Sequence, residues 1–157
     1  MIFVECDPDK YVVKKIVPKT RIIHGGGKTG VLNALEGERR AVGIVDADPH
    51  FRKPPGDMRK GYVREDVKDT IELMRKKGDE GKFLIVLSPD IEGWLVNKAK
   101  QNGISLRDYN LPDDPERMHD ITHIERDLNF QKFIKKLIQT SDDEINVLRR
   151  WIKEAIA

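Results

Sequence analysis

Acidic residues follow three separate apolar runs of this sequence. They are Glu5, Asp7 and Asp9 after the first run, Asp46 and Asp48 after the third, and Asp90 and Glu92 after the fourth. Several carboxylates at one edge of a fold repel each other unless a cation joins them. Hard oxygen ligands suit Mg²⁺, which binds through one or two carboxylates, several waters and a substrate phosphate. The pattern therefore predicts a Mg²⁺ site.

A second explanation applies to most of these acids, because Asp and Glu also cap helix N-termini and interact well with the helix dipole. Taken alone, the Asp residues that lie just behind a run fit this explanation better. For Glu5, Asp46 and Asp48 a metal site is favoured, because such apolar runs rarely end in acids at two separate places by chance.

The elements that must position these acids alternate between two patterns. Continuous apolar runs rich in Ile and Val predict strands buried on both faces, as in a parallel sheet. These runs are Ile2–Val4, Arg21–Ile23, Ala41–Val45 and Phe83–Leu87. Segments of helical period predict helices at Asp9–Val17, Thr29–Glu36, Arg64–Lys77 and Ile91–Gln101. The alternation predicts a three-layer α/β domain with a mainly parallel four-stranded sheet, whose ligands bind beyond the carboxyl ends of the strands.

The last third of the chain has a different pattern. Two more helices are predicted at Leu128–Ile138 and Asp142–Ile156, the second opened by a capping box at Ser141–Glu144. Residues 105–157 are therefore expected to form a linker and a helical extension packed on a core made of residues 1–104. This extension is expected either to support the sheet or to form a homodimer.

The acidic spacing resembles that of the Toprim domain, the module of topoisomerases, bacterial-type primases, recombination mediators, small ribosomal-RNA maturases and the overcoming-lysogenization-defect nucleases. In that family an apolar strand ends in Glu with an Asp four residues on, and a later strand ends in Asp-x-Asp. Here Glu5 and Asp9 match the first motif, and Asp46 with Asp48 match the second. Cys6 stands where the family commonly has Gly, so its side chain would crowd the approach of a substrate to Glu5.

The lysogenization-defect branch is the most similar in pattern, over residues 1–102. The strand that ends in a glycine-rich turn and the acids after the fourth strand carry this likeness. The resemblance implies a Rossmann-like fold and a Mg²⁺ site, with Mn²⁺ as a substitute, made by Glu5, Asp46 and Asp48. Asp9 and Glu92 are further candidate ligands. It also implies phosphoryl transfer on nucleic-acid phosphodiesters, with Glu5 also acting as a general acid or base.

Two segments are candidates for binding a phosphate or the substrate. The turn Gly25-Gly26-Gly27-Lys28 lacks the first glycine of a P-loop, so it is equally well explained by phosphate binding and by a tight strand-to-helix turn. A predicted loop at Pro49–Tyr62 directly follows the Asp-x-Asp pair. Its basic residues are expected to contact a polyanionic substrate; among them are Arg52, Lys53, Arg59 and Lys60.

The composition sets limits on partners and location. The 157 residues have a net charge of only +2, so nucleic-acid binding must come from a local basic patch. No apolar run approaches the roughly 18 residues that span a bilayer, and the first residues do not resemble a signal peptide. The single cysteine, Cys6, excludes a disulfide framework within the chain and favours a cytoplasmic location.

Three functions are compatible with these observations. The leading one is a Mg²⁺-dependent nuclease or phosphodiesterase acting on DNA or RNA. The second is a non-catalytic module that binds a nucleotide, a nucleic acid, or a repair or replication partner, with an ATPase as another candidate partner. The third is a receiver-like phosphotransfer domain, which is less favoured because no Lys follows the fourth strand, where Ser88 stands.

Overall fold

The computed structural model describes residues 1–47 and 61–157. Its elements are β1 (Ile2–Val4), α1 (Asp7–Ile16), β2 (Ile22–His24), α2 (Gly27–Glu36), β3 (Ala41–Asp46), β4 (Tyr62–Lys68), β5 (Ile71–Lys76), β6 (Lys82–Leu87), α3 (Ile91–Gln101), α4 (Pro115–His119), α5 (Leu128–Ile138) and α6 (Asp143–Ile156). Short 3₁₀ turns cover Leu106–Tyr109 and Ile124–Arg126. No helix in the two described ranges is long and apolar enough to cross a membrane.

The sheet has six strands in the order β2-β1-β3-β6-β5-β4. The first four of these pair in parallel, whereas β5 runs antiparallel to both β6 and β4. Strands β1 and β3 are buried on both faces, as their continuous apolar sequences predict. The predicted α/β class with a mainly parallel sheet is therefore confirmed.

The helices cover both faces of this sheet. Helix α2 packs on one face over a cluster that includes Phe3, Val31 and Leu84. On the other face, α1, α3, α4, α5 and α6 share one buried cluster with the alternate strand residues. The C-terminal helices thus belong to the same core as the strands that carry the acidic residues.

The helix predicted at Arg64–Lys77 is wrong, because this segment forms the hairpin β4–β5 and raises the strand count from four to six. The spacing of Val67, Ile71 and Met74 imitates a helical face. In the structure Val67 is half exposed, while Ile71 and Met74 point to opposite faces of the sheet and join different clusters. Asp69 makes the turn with a φ of 51°, a left-handed conformation that Asp tolerates.

The predicted capping box at Ser141–Glu144 is also wrong. The cap of α6 is Asp142, whose carboxylate accepts a hydrogen bond from the Ile145 N–H at 3.0 Å. Glu144 is instead buried in the core, where it accepts hydrogen bonds from the Trp94 indole N–H at 2.6 Å and the Thr70 N–H at 2.7 Å. The Lys98 ammonium lies 3.3 Å from Glu144 and 3.0 Å from Asp142, so the charges of this cluster are paired.

This buried cluster connects α6 to α3 and to the β4–β5 turn, so its loss is expected to loosen the extension. Replacing Glu144 with Ala leaves the Trp94 indole N–H and the Thr70 N–H without their buried acceptor and removes one of the two carboxylates beside Lys98. We expect the free energy of unfolding, measured by urea denaturation, to fall by about 3–5 kcal/mol. The exposed Glu154→Ala change on the same helix serves as the control, with an expected effect of about 0.5 kcal/mol or less. Equal losses for both variants would contradict this account.

Candidate functional site

The acids of the first and third predicted strands lie at the same edge of the sheet. Glu5 follows β1 and Asp46 ends β3, and these two strands are paired neighbours running in the same direction. The Glu5 Oε2 atom accepts a hydrogen bond of 2.6 Å from the Asp46 backbone N–H. Parallel pairing thus brings together two residues that are 41 positions apart in the sequence.

Glu5 also has a cation beside it. The Lys28 Nζ atom lies 3.9 Å from Glu5 Oε2, and both side chains are largely shielded from solvent, with exposures of 11% and 14%. Lys28 is in the first turn of α2, directly after the glycine-rich turn. The lysine that the sequence suggested for a phosphate is therefore close to the carboxylate at the end of β1.

Asp9 lies on the buried side of α1, with an exposure of 3%. Its Oδ1 atom has no hydrogen-bond partner among the described residues. Burial raises the pKa of Asp9 to about 7, with further contributions from the negative charges of Glu5 and Glu92, while hydrogen bonds with Cys6 act in the opposite direction. Asp9 is therefore more than a helix-capping residue, because one of its oxygens points to no donor.

Cys6 stands between these acids in the chain and is half buried. Burial raises the pKa of its thiol, and the charges of Asp9 and Asp46 raise it further. The thiol therefore stays protonated at neutral pH, whereas a nucleophile or a soft-metal ligand must be a thiolate. This environment leaves oxygen atoms as the ligands that the site can offer.

The acids after the fourth predicted strand have separate roles. Asp90 is the N-cap of α3 and accepts a hydrogen bond of 2.7 Å from the Gly93 N–H, as the capping explanation expects. Glu92 is in the first turn of α3, and its charge contributes to the raised pKa of Asp9. Its Oε1 atom is 3.0 Å from the His119 Nδ1 atom. This hydrogen bond, together with the charge of Glu92, raises the pKa of His119.

Asp7 lies at the outer side of the rim, where its carboxylate is 3.4 Å from the His24 Nδ1 atom. Both side chains are about half exposed, so this pair contributes little to stability. Asp7 is in the first turn of α1, a position that the helix dipole favours for a carboxylate. The capping explanation is sufficient for this residue.

The glycine-rich turn has the geometry of a tight strand-to-helix connection. Gly26 and Gly27 have φ values of 81° and 83°, which non-glycine residues rarely adopt. A Cβ atom on Gly30 would lie only 1.8 Å from the Gly25 carbonyl oxygen, so this turn packs closely on α2. The Gly27 N–H donates to the Glu5 carbonyl at 3.0 Å, which links the turn to the acidic rim. Phosphate binding by Gly25, Gly26, Gly27 and Lys28 stays a prediction.

Several predicted site residues lie outside the described ranges. They are Asp48, Arg52, Lys53, Arg59 and Lys60. Within residues 1–47 and 61–157, no three His, Cys, Asp or Glu side chains are grouped closely enough to form a metal site on their own. The described part of the rim therefore offers carboxylates from β1, β3 and α1, and the predicted set of Glu5, Asp46 and Asp48 stays a prediction.

Sequence reasoning did not identify His119 or Lys28 as neighbours of the acidic residues. His119 is the last residue of α4, and His123 has a left-handed φ of 51°, so these two histidines do not share a helical face. The contact of His119 with Glu92 joins residues 27 positions apart and has no local signal. Lys28 follows a glycine-rich turn, a sequence pattern that indicates phosphate binding and gives no indication of its contact with Glu5.

The raised pKa of Asp9 predicts how stability depends on pH. The folded state holds a proton on Asp9 up to about pH 7, whereas an unfolded Asp loses it near pH 4, at about 3.9. The free energy of unfolding in EDTA should therefore fall as the pH rises from about 4 to 7, by up to about 4 kcal/mol at roughly 1.4 kcal/mol per pKa unit.

The Asp9→Asn variant is the matched control, because the Asn side chain has nearly the same shape as a protonated Asp and stays uncharged at every pH. Urea denaturation between pH 4 and 8.5 should show that this variant lacks the decrease and exceeds the wild type above pH 7. Parallel profiles for the two proteins would contradict the assignment of the proton to Asp9.

Comparisons with known proteins do not assign a family to this geometry. No protein-family model, no curated protein and no solved structure matches the chain. The resemblance to the Toprim domain therefore depends on the spacing of the acidic residues alone, and the arrangement of the rim must be interpreted from its own chemistry.

Proposed function

We propose that this chain is a Toprim-like protein that binds Mg²⁺ at the carboxyl ends of β1 and β3 and acts on nucleic-acid phosphodiesters. One observation carries the proposal. Glu5 and Asp46 adjoin at this edge, and the buried Asp9 beside them has an oxygen without a hydrogen-bond partner among the described residues. A divalent cation bound at this edge would offset the negative charge of these carboxylates.

The chemistry of the available donors fits Mg²⁺. Glu5, Asp46 and Asp9 supply hard carboxylate oxygens, and the Cys6 thiol is held in its neutral form. Mg²⁺ commonly binds through one or two carboxylates and keeps several waters, so a complete cage of protein ligands is not needed. Asp48 is expected to add a further carboxylate, and Glu92 is a more distant candidate because His119 already engages one of its oxygens.

A bound ion would neutralise the charge that develops on a phosphodiester during cleavage. The residues of the chain supply the remaining functions. Glu5 accepts the Asp46 N–H through one oxygen, which orients its carboxylate for proton transfer. Asp9 exchanges a proton near neutral pH, so its charge can adjust to the arrival of a cation. The basic residues at 52, 53, 59 and 60 are expected to contact the substrate.

One observation favours a second candidate, a non-catalytic module that binds a nucleic acid or a partner. The Lys28 ammonium lies 3.9 Å from the Glu5 carboxylate, and both side chains are largely shielded. A lysine in this position partly neutralises the carboxylate without any metal. In such a module Lys28 would hold a phosphate at the rim, and no bond would be broken.

A cleavage assay distinguishes the two candidates. Labelled single- and double-stranded DNA and RNA are incubated with the protein in Mg²⁺, in Mn²⁺ or in EDTA. We expect cleavage that requires the metal and that falls at least about 100-fold in Asp46→Ala and in Glu5→Gln, because each removes charge stabilisation of the transition state. The exposed Asp108→Ala change, far along the chain, controls for the loss of one acid and should retain full activity.

Binding of Mn²⁺ alone, followed by its electron paramagnetic resonance signal, is the second measurement. Metal binding that weakens in Asp46→Ala, together with binding of nucleic acid but no turnover in any condition, would support the non-catalytic module instead. Cleavage that persists unchanged in both rim variants would contradict the proposed site.

A further inference from the structure

An open groove lies between α1 and α5, on the outer side of the helical layer. It measures about 600 Å³ and is lined by residues of these two helices and by Gln139, the C-cap of α5. Its apolar lining residues, called the floor below, are Tyr11, Leu128 and Ile138. Leu128 is 70% exposed, which is the highest exposure among the large apolar residues of the described ranges. The groove is thus an apolar surface that the described fold leaves open to solvent.

The walls of this groove are positively charged. Lys15, Lys132 and Lys135 line it, and all three are exposed. Gln131 and Gln139 complete the lining, and none of the described residues that line the groove carries a carboxylate. The sequence of α5 contains three lysines and no acid at all. In a chain whose acidic and basic residues nearly balance, this face is locally cationic.

The floor offers a surface for a flat apolar group. The Tyr11 ring packs against Phe130, with 6.1 Å between the ring centroids, so its position is fixed by the core. The Lys15 ammonium lies 5.3 Å from the centroid of the same ring. A ligand that carries both negative charge and flat apolar groups matches this combination of lysines and apolar side chains.

Helix α1 connects the groove to the acidic rim. Asp9 is in its first turn, and Lys15 follows six residues later, about 9 Å along the helix axis at 1.5 Å per residue. A strand bound both at the rim and at Lys15 would therefore need only a few nucleotides to cover the distance along α1. Double-stranded nucleic acid presents its phosphates but stacks its bases inside, so it could not use the apolar floor.

We propose that the groove between α1 and α5 binds single-stranded nucleic acid, with phosphates on Lys15, Lys132 and Lys135 and bases against the apolar floor. This inference rests on the proposed function, because the continuity with the rim favours a nucleic acid over an acidic peptide. It assigns a substrate class, a single strand, to the site at the end of the sheet.

Binding is tested with the full chain in EDTA, so that no cleavage intervenes. Fluorescent 20-nucleotide single-stranded DNA and RNA, and the corresponding duplexes, are titrated by anisotropy at several salt concentrations. The triple variant Lys15→Ala, Lys132→Ala, Lys135→Ala should bind the single strands at least about 10-fold more weakly. The slope of log K against log salt should decrease by about 2, since each phosphate contact of a single strand contributes roughly 0.7.

Two further variants make the test specific. The control triple variant Lys77→Ala, Lys100→Ala, Lys153→Ala removes the same charge from exposed lysines that do not line the groove, and it should bind like the wild type. Leu128→Ser changes only the floor, so it should weaken binding several-fold while leaving the salt slope unchanged. Thermal unfolding curves of all variants should match the wild type, because every substituted side chain is exposed.

The outcomes separate this inference from the proposed function. Equal weakening in both triple variants, or a preference for the duplexes, would overturn the groove as a single-strand site. Competition by poly-glutamate as strong as that by the single strands would overturn it in favour of an acidic peptide. Weaker binding confined to the groove variants supports the inference, whether or not the strand is cleaved. A complete lack of cleavage in the separate assay would contradict only the proposed nuclease activity.

Discussion

The parallel pairing of β1 with β3 is the constraint on which the acidic rim depends. It places the Glu5 carboxylate on the backbone N–H of Asp46, and it leaves Asp9, on the helix that follows β1, buried beside them. Gathering carboxylates in a shielded place costs free energy, because burial and mutual repulsion both disfavour the charged forms. The chain offsets this cost locally: Lys28 lies beside Glu5, His119 contacts Glu92, and Asp9 keeps its proton up to neutral pH.

The C-terminal extension uses buried charge in a different way. Lys98 lies between the carboxylates of Glu144 and Asp142, and the Trp94 indole N–H and the Thr70 backbone N–H donate hydrogen bonds to Glu144. Breaking such a network is costly, whereas the intact network mainly fixes which surfaces meet. It fixes α6 against α3 and the β4–β5 turn. At the rim, by contrast, Asp9 retains an oxygen without a partner among the described residues, so the burial of this carboxyl is not compensated in the same way.

Much of the fold could be predicted from the sequence because the central strands are buried on both faces and therefore read as continuous apolar runs. The helices α3 and α5 have the bounds that their apolar spacing indicates, although their N-caps are Asp90 and Asp127. The β4–β5 hairpin could not be predicted from periodicity, because the edge strand β4 buries almost none of its side chains and its few apolar residues coincide with a helical spacing.

The adjacency of Glu5 and Asp46 followed from a simple rule about parallel strands. The contacts of Glu144, His119 and Lys28 had no such rule, because each joins elements whose packing is decided by the whole core.

Helix α1 has two different environments along a single stretch of ten residues. Its first turn carries Asp9 on the side that faces the sheet, where burial and neighbouring acids control a proton. Its last turn carries Lys14 and Lys15 on the solvent side, where the negative end of the helix dipole favours cations. The same dipole favours acids at the start, so the order of charges along α1 stabilises the helix whether or not it binds anything. The stability of α1 requires neither an apolar floor open to solvent beside the lysines nor a buried carboxylate oxygen without a donor among the described residues. These two features, one at each end of α1, are the ones on which the proposed metal site and the proposed groove depend.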